Sequence, residues 1–120
     1  MTEKRLGVIE TRFANLIWEN EPLATSQLIK MCEEEFSWKR TTTYTVLKRL
    51  SERGLFENKD GTVSSLVSRD DYYATQSESF IEESFGGSLP AFLTAFTSKN
   101  RLSKKDVEKI KKMIKDYEEQ

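Results

Sequence analysis

The stretch of this chain best equipped for binding chemistry runs from Trp38 to Leu55, WKRTTTYTVLKRLSERGL. Three consecutive threonines and a tyrosine stand where a soluble helix usually carries Glu, Gln or Ala. Five bases (Lys39, Arg40, Lys48, Arg49 and Arg53) face one acid there, Glu52. Each β-branched or aromatic residue costs a helix roughly a few tenths of a kcal/mol relative to Ala, so such a run on an outer face calls for a reason. Nucleic acid supplies one. Hydroxyls exchange hydrogen bonds with base edges and phosphate oxygens, and Thr methyls can meet the thymine methyl.

Helical spacing divides the stretch into two faces. Thr43, Val46, Leu47 and Leu50 fall on one, suited to packing. Thr41, Tyr44, Thr45 and Lys48 fall on the other, with Lys39, Arg40, Thr41 and Thr42 at the N-terminal entrance. Lys and Arg attract phosphate, and a helix N-terminus adds backbone N–H donors. The plainer alternative is a solvated face with incidental threonines.

Other chemistries find little support in the residues. There is no His, which removes the commonest general base and the commonest transition-metal ligand. Cys32 is the single cysteine, so no intrachain disulfide and no cysteine-based metal cluster can form. It follows Met31 and precedes Glu33-Glu34-Glu35, a setting for a packing thiol of raised pKa and not for a reactive one. Neither a nucleophile motif nor a phosphate-binding glycine loop is found, so the chain is read as a non-enzyme without cofactor or metal. The acid pairs Asp70-Asp71 and Glu82-Glu83 read as solvated surface.

The elements that must hold the Trp38–Leu55 stretch follow from the pattern on either side. From about Gly7 to Asn20, Ile9, Phe13, Leu16, Ile17 and Trp18 form a helical stripe. Pro22 breaks it, and Thr25 or Ser26 offers an N-cap for a shorter helix from about Ser26 to Glu35, with Leu28, Ile29 and Cys32 inward. Phe36-Ser37-Trp38 connects to the threonine helix, about Lys39 to Arg53, which Gly54 ends as a left-handed residue. Asp60-Gly61, between short runs containing Leu55, Phe56, Val63, Leu66 and Val67, signals a β-hairpin. Helix, helix, helix, hairpin is the order of a winged helix-turn-helix, whose second motif helix enters the DNA major groove.

Past SRDDYYATQSES the chain returns to helix. Phe80, Ile81 and Phe85 lead to a break at Gly86-Gly87. Ser88 is the next cap candidate, with Pro90 early in a helix carrying Leu89, Phe92, Leu93 and Phe96. A last helix, about Ser103 to Glu118, opens with Ser103 and Asp106 as a capping-box variant and shows a seam of Val107, Ile110, Met113 or Ile114, and Tyr117. Short one-sided helices cannot bury much alone, so Phe80, Ile81, Phe85, Leu89, Phe92, Leu93, Phe96, Val107, Ile110 and Ile114 are expected to meet a second copy. The expected class is mainly α with a small β-hairpin wing: a winged-helix DNA-binding domain over 1–71 and a helical dimerisation domain over 72–120.

The whole composition is compatible with this. The 120 residues have a net charge of −1, 37% hydrophobic and 32% charged residues, and residues 1–70 carry 11 bases and 11 acids, so the polarity is local. No run approaches the roughly 18 apolar residues that cross a membrane. MTEKRLGVIE lacks the apolar stretch and cleavage site of a signal peptide, which places the expected location in the cytoplasm.

Three segments, NLIWENEPLATSQLIKMC, WKRTTTYTVLKRLSERGLF and FIEESFGGSLPAFLTAF, resemble the penicillinase-repressor (BlaI/MecI/CopY) family of bacterial transcription regulators. The resemblance rests on Ile17-Trp18, on Trp38, Thr42, Thr45, Leu47, Arg49, Leu50, Arg53 and Gly54, and on Phe80-Ile81, Phe85, Gly87, Ser88 and Leu89. It implies a homodimeric repressor on a dyad-symmetric DNA operator, often built around TACA and TGTA half-sites. It also implies a sensor metalloprotease as partner in the β-lactam branch, which cuts at Asn-Phe; Ala95-Phe96 stands there in this chain. The wing differs too, since Thr62 follows Gly61 where family members often carry Arg, and LVSRDD replaces a Tyr-x-Pro. The terminal IKDYEEQ holds no cysteine cluster of the copper-responsive kind. The competing expectation is a winged-helix module for protein–protein contact without specific DNA binding.

Overall fold

The computed structural model describes residues 5–120. Met1–Lys4, the start of the segment read above for a signal peptide, lie outside the described residues. These form six helices and three strands: α1 (Val8–Asn20), β1 (Leu23–Ala24), α2 (Thr25–Phe36), α3 (Arg40–Glu52), β2 (Phe56–Lys59), β3 (Thr62–Ser65), α4 (Arg69–Phe85), α5 (Leu89–Thr97) and α6 (Lys104–Glu118). The fold is mainly α with a small antiparallel sheet, a winged helix followed by further helices. Two compact units divide between Ser77 and Glu78, inside α4. Among the described residues no helix is long and apolar enough to cross a membrane.

In the first unit α1 starts at Gly7, whose N–H donates to the Glu10 carboxylate at 3.1 Å, so the N3 side chain satisfies an otherwise open donor. Its inner stripe is Phe13, Ala14 and Ile17, all fully buried, while Ile9, expected in the stripe, is exposed because the helix begins beyond the edge of the core. α2 begins one residue before the expected start. Neither Thr25 nor Ser26 caps it; Ala24 holds the N-cap position, and its N–H donates to the Gln27 side chain at 2.9 Å. The turn into α3 passes through Ser37 in the left-handed region (φ 57°), after which the Trp38 ring packs on Phe36 and Phe13. Gly54 ends α3 at φ 83°, as the sequence requires.

The sheet has the order β1-β3-β2, with Phe56 opposite Ser65 and Lys59 opposite Thr62. Asp60 (φ 53°) and Gly61 (φ 81°) make the tight turn between β2 and β3. β1 has no counterpart in the sequence reading: two residues are too few to show a period, and only the pairing of Leu23 with Val63 and Ala24 with Thr62 defines it. Leu66 lies just past β3 and is exposed, whereas Phe56 and Val63 are fully buried.

The largest difference from expectation is at 69–79, which is helix and not a connector. Ser68 Oγ accepts the Asp71 N–H at 3.1 Å and caps α4. Tyr72 is buried in the first unit's core, and the Trp18 ring packs on Phe56, Tyr72 and Tyr73, while Trp18 Nε1 donates to the Val67 carbonyl at 3.0 Å. In the second unit Ser88 and Ser103 cap α5 and α6 through the N–H groups of Ala91 and Asp106. Phe80, Phe85 and Phe92 meet edge-on at centroid distances of 5.7–6.1 Å. α5 and α6 bury no residue among those described.

Candidate nucleic-acid interface

α3 takes its position from its inner face. Thr43 and Leu50 are wholly buried and Val46 and Leu47 almost so, against the side chains of α1, α2 and the sheet. The Thr43 hydroxyl is buried without a hydrogen-bond partner among the described residues; burial pushes the neighbouring Cys32 thiol up from its ordinary pKa, and the nearby Thr43 hydroxyl offsets part of this. Cys32 is a fully buried packing residue. On the flank, Arg49 Nη2 lies 2.9 Å from the Glu10 carboxylate, tying α3 to α1. Glu10 sits below the usual carboxylate range, first because the Gly7 N–H donates to it and then because Arg49 and Arg53 lie near.

The outer face presents what remains. Thr41, Tyr44, Thr45 and Lys48 are exposed, Lys39 and Arg40 are exposed at the entrance, and Thr42 is half-buried. Lys39, Arg40 and Lys48 enter no ion pair among the described residues, so their charge is available to an anion. The Arg40 guanidinium lies 5.6 Å from the centre of the Tyr44 ring, which steers it along the helix surface. Thr45 Oγ1 donates to the Thr41 carbonyl at 2.9 Å, which commits its proton and turns its lone pairs and methyl outward. In that state Thr45 is an acceptor, suited to the amino group of adenine or cytosine. Arg49 and Arg53, counted in the basic surplus of the sequence, lie on the side of Glu10.

The hairpin is fixed beside this face by a residue that sequence reasoning took for a cap. Thr25 is buried, and both its backbone N–H (2.9 Å) and its hydroxyl (3.1 Å) donate to the Gly61 carbonyl at the tip of the turn. At the other end of β3, the Glu21 carboxylate accepts from the Ser65 N–H and hydroxyl at 2.8 and 2.7 Å. Thr62 is exposed on the wing. The structure thus exposes Lys39, Arg40, Thr41, Tyr44, Thr45 and Lys48 together, with Thr42 half-buried among them and the wing held alongside. A cation-lined, hydroxyl-bearing helix face with an anchored hairpin can follow a phosphate backbone and read base edges; among the described residues no group of His, Cys, Asp or Glu is disposed to hold a metal.

The family model described as "Penicillinase repressor" matches residues 6–116. This chain belongs to the penicillinase repressor family. That is a family of DNA-binding transcriptional repressors, and the mainly helical winged fold agrees with it. A curated relative, the "Penicillinase repressor" of Bacillus licheniformis, is 24% identical over 112 residues, covering 90% of this chain and 88% of its own length.

The apolar residues of the second unit form the other candidate surface. Leu89, Phe96 and Ile114 are exposed, and Phe80, Ile81, Phe85, Phe92, Leu93, Val107 and Ile110 are half-buried. Met113 and Tyr117 extend the α6 seam at 68% and 76% exposure, too much apolar area for a helix that works alone in water.

Proposed function

We propose that this penicillinase repressor family member acts as a homodimer on a two-fold-symmetric operator, with α3 of each copy in a major groove and the wing beside it. The observation that carries this is the outer face of α3: Thr41, Tyr44, Thr45 and Lys48 exposed together, Lys39, Arg40 and Lys48 without an ion pair among the described residues, and the inner face buried. Phosphate attraction supplies affinity through Lys39, Arg40 and Lys48, and the hydroxyls of Thr41, Thr42, Tyr44 and Thr45 supply the base-edge chemistry. Thr62 places a hydroxyl of the wing toward the backbone. The apolar faces of α4, α5 and α6 in the second unit support pairing with a second copy, and two-fold symmetry would then match the operator's dyad. The site of action is the cytoplasm.

The test is binding to the duplex enriched from a randomised pool. Changing Thr41, Thr45 and Lys48 together to Ala should weaken it by roughly 100-fold and lower the slope of log affinity against log salt by about one per lysine removed. Unchanged affinity would remove α3 from the interface and with it the reading.

A further inference from the structure

The outer face of α3 runs into a cleft that its hydroxyl pattern alone does not explain. A hollow of about 270 Å³ is lined by Tyr44, Leu47, Lys48, Ser51 and Asn58, between α3 and β2. Asn58 lies opposite Val63 in the register and two residues on from Phe56. Opposed residues share a face, so Asn58 belongs to the face of the sheet that looks toward the helices. It is nonetheless exposed, because the hairpin runs past the core there. Across from it, Tyr44, Lys48 and Ser51 stand at the i, i+4 and i+7 positions of one α3 stripe, with Leu47 as an apolar wall between.

The polar groups of this cleft are set for an anion. Its lining has one cation, two hydroxyls and a carboxamide, and no carboxylate among the described residues. Ser51 Oγ is buried and has no hydrogen-bond partner among the described residues, although a helical serine can ordinarily turn to the carbonyl four residues back. Asn58 Oδ1 lies 3.4 Å from Thr25 Oγ1, whose proton goes to the nearer Gly61 carbonyl, and the Asn58 amide nitrogen has no protein partner among the described residues, which leaves it for a ligand. One positive charge and three or four neutral donors suit a singly charged oxyanion better than a doubly charged one.

We propose that this cleft seats one phosphodiester of the DNA strand that crosses between α3 and the wing. Lys48 neutralises it, Asn58 Nδ2 donates to its oxygens, and the Ser51 hydroxyl, covered in the free chain, turns about χ1 to join them. The occupant is DNA and not a free small anion, because Tyr44 and Lys48 are shared between the cleft and the face that follows the duplex. The inference rests on the DNA-binding reading of α3, and it adds two residues, Ser51 and Asn58, that the threonine face does not contain.

The full chain and the duplex enriched from a randomised pool, with single phosphates replaced one at a time by neutral methylphosphonates, make the test. Asn58→Asp keeps the acceptor for Thr25 and nearly the same shape while placing a carboxylate in the seat. It should weaken binding by roughly tenfold or more. One methylphosphonate position in each half-site should weaken the wild type to a similar degree and leave Asn58→Asp almost unaffected. Ser51→Ala should show a smaller loss coupled to the same position, and it carries the test if melting shows Asn58→Asp to be unfolded. A wild type that binds tightly with no phosphate coupled to either residue overturns the seat and leaves the α3 reading intact. A wild type that enriches no duplex overturns both.

Discussion

The threonines of α3 have separate roles that neighbouring positions conceal. Thr43 is buried beside Cys32, whereas Thr45 bonds back to Thr41 and keeps its lone pairs outward. The buried Thr43 hydroxyl has no hydrogen-bond partner among the described residues, so Thr43→Val should leave urea stability unchanged or raise it by up to about 1 kcal/mol, with DNA affinity unaltered. Glu10 gives a pH-dependent counterpart. Its carboxyl is held low in the folded chain, so the stability it contributes is present above the ordinary carboxylate range and is lost as pH falls through its folded-state value. The wild type should exceed Glu10→Gln by at most about 1 kcal/mol at neutral pH, and urea titrations at decreasing pH should show the two converge. The sorting of α3 was readable from helical period alone, since one face needed apolar neighbours and the other did not. Thr25 was not: its partner Gly61 is 36 residues away, and nothing local separates a wing anchor from a cap.

Wing and helix-turn-helix are one mechanical piece because the hairpin is fixed at both ends, by Thr25 at the tip and Glu21 at the base. Gly61 at φ 81° accepts a side chain only with strain, although a Cβ there would meet no atom within 4 Å. Gly61→Ala should therefore cost about 1 kcal/mol of stability through the backbone alone. Thr25→Val should cost about as much, and hydrogen exchange should quicken at the hairpin amides before those of α3, whereas Thr25→Ser should restore protection. Uniform exchange across both elements would contradict the anchoring. The Asp-Gly turn and all the longer helices could be read from pattern, but two elements could not. β1 is too short to carry a period. The first half of α4 shows only Tyr72 and Tyr73 as large apolar residues, and its helix is secured by the Ser68 cap and by packing on Trp18, which are tertiary facts.

For the complete chain, the division at Ser77–Glu78 determines how the assembly should be probed. A chain ended after residue 71 loses Tyr72 from the core of the first unit, so a fair N-terminal fragment ends after Ser77. That fragment should sediment as a folded monomer and bind the duplex far more weakly than the full chain, because one half-site set of interactions is lost. In the full chain, Ile110→Glu with Ile114→Glu keeps good helix formers on α6 and should convert the proposed dimer to monomer; a dimer that persists would move the interface elsewhere. The near-neutral overall charge gave no hint of DNA. The informative quantity was local: among the described residues Lys39, Arg40 and Lys48, on α3 and at its entrance, have no carboxylate partner, while Arg49, next in the chain to Lys48, is paired with Glu10.

The fully packed inner face of α3 also has a consequence for how such a protein changes over generations. Thr43, Val46, Leu47 and Leu50 are the buried residues of α3, whereas Thr41, Tyr44 and Thr45 are exposed. Substitutions at those three positions are therefore free to drift without loss of the scaffold. On the proposed reading of α3, duplicated copies of the chain could acquire separate target sequences by changing three side chains, and a designer could recode the target by the same route.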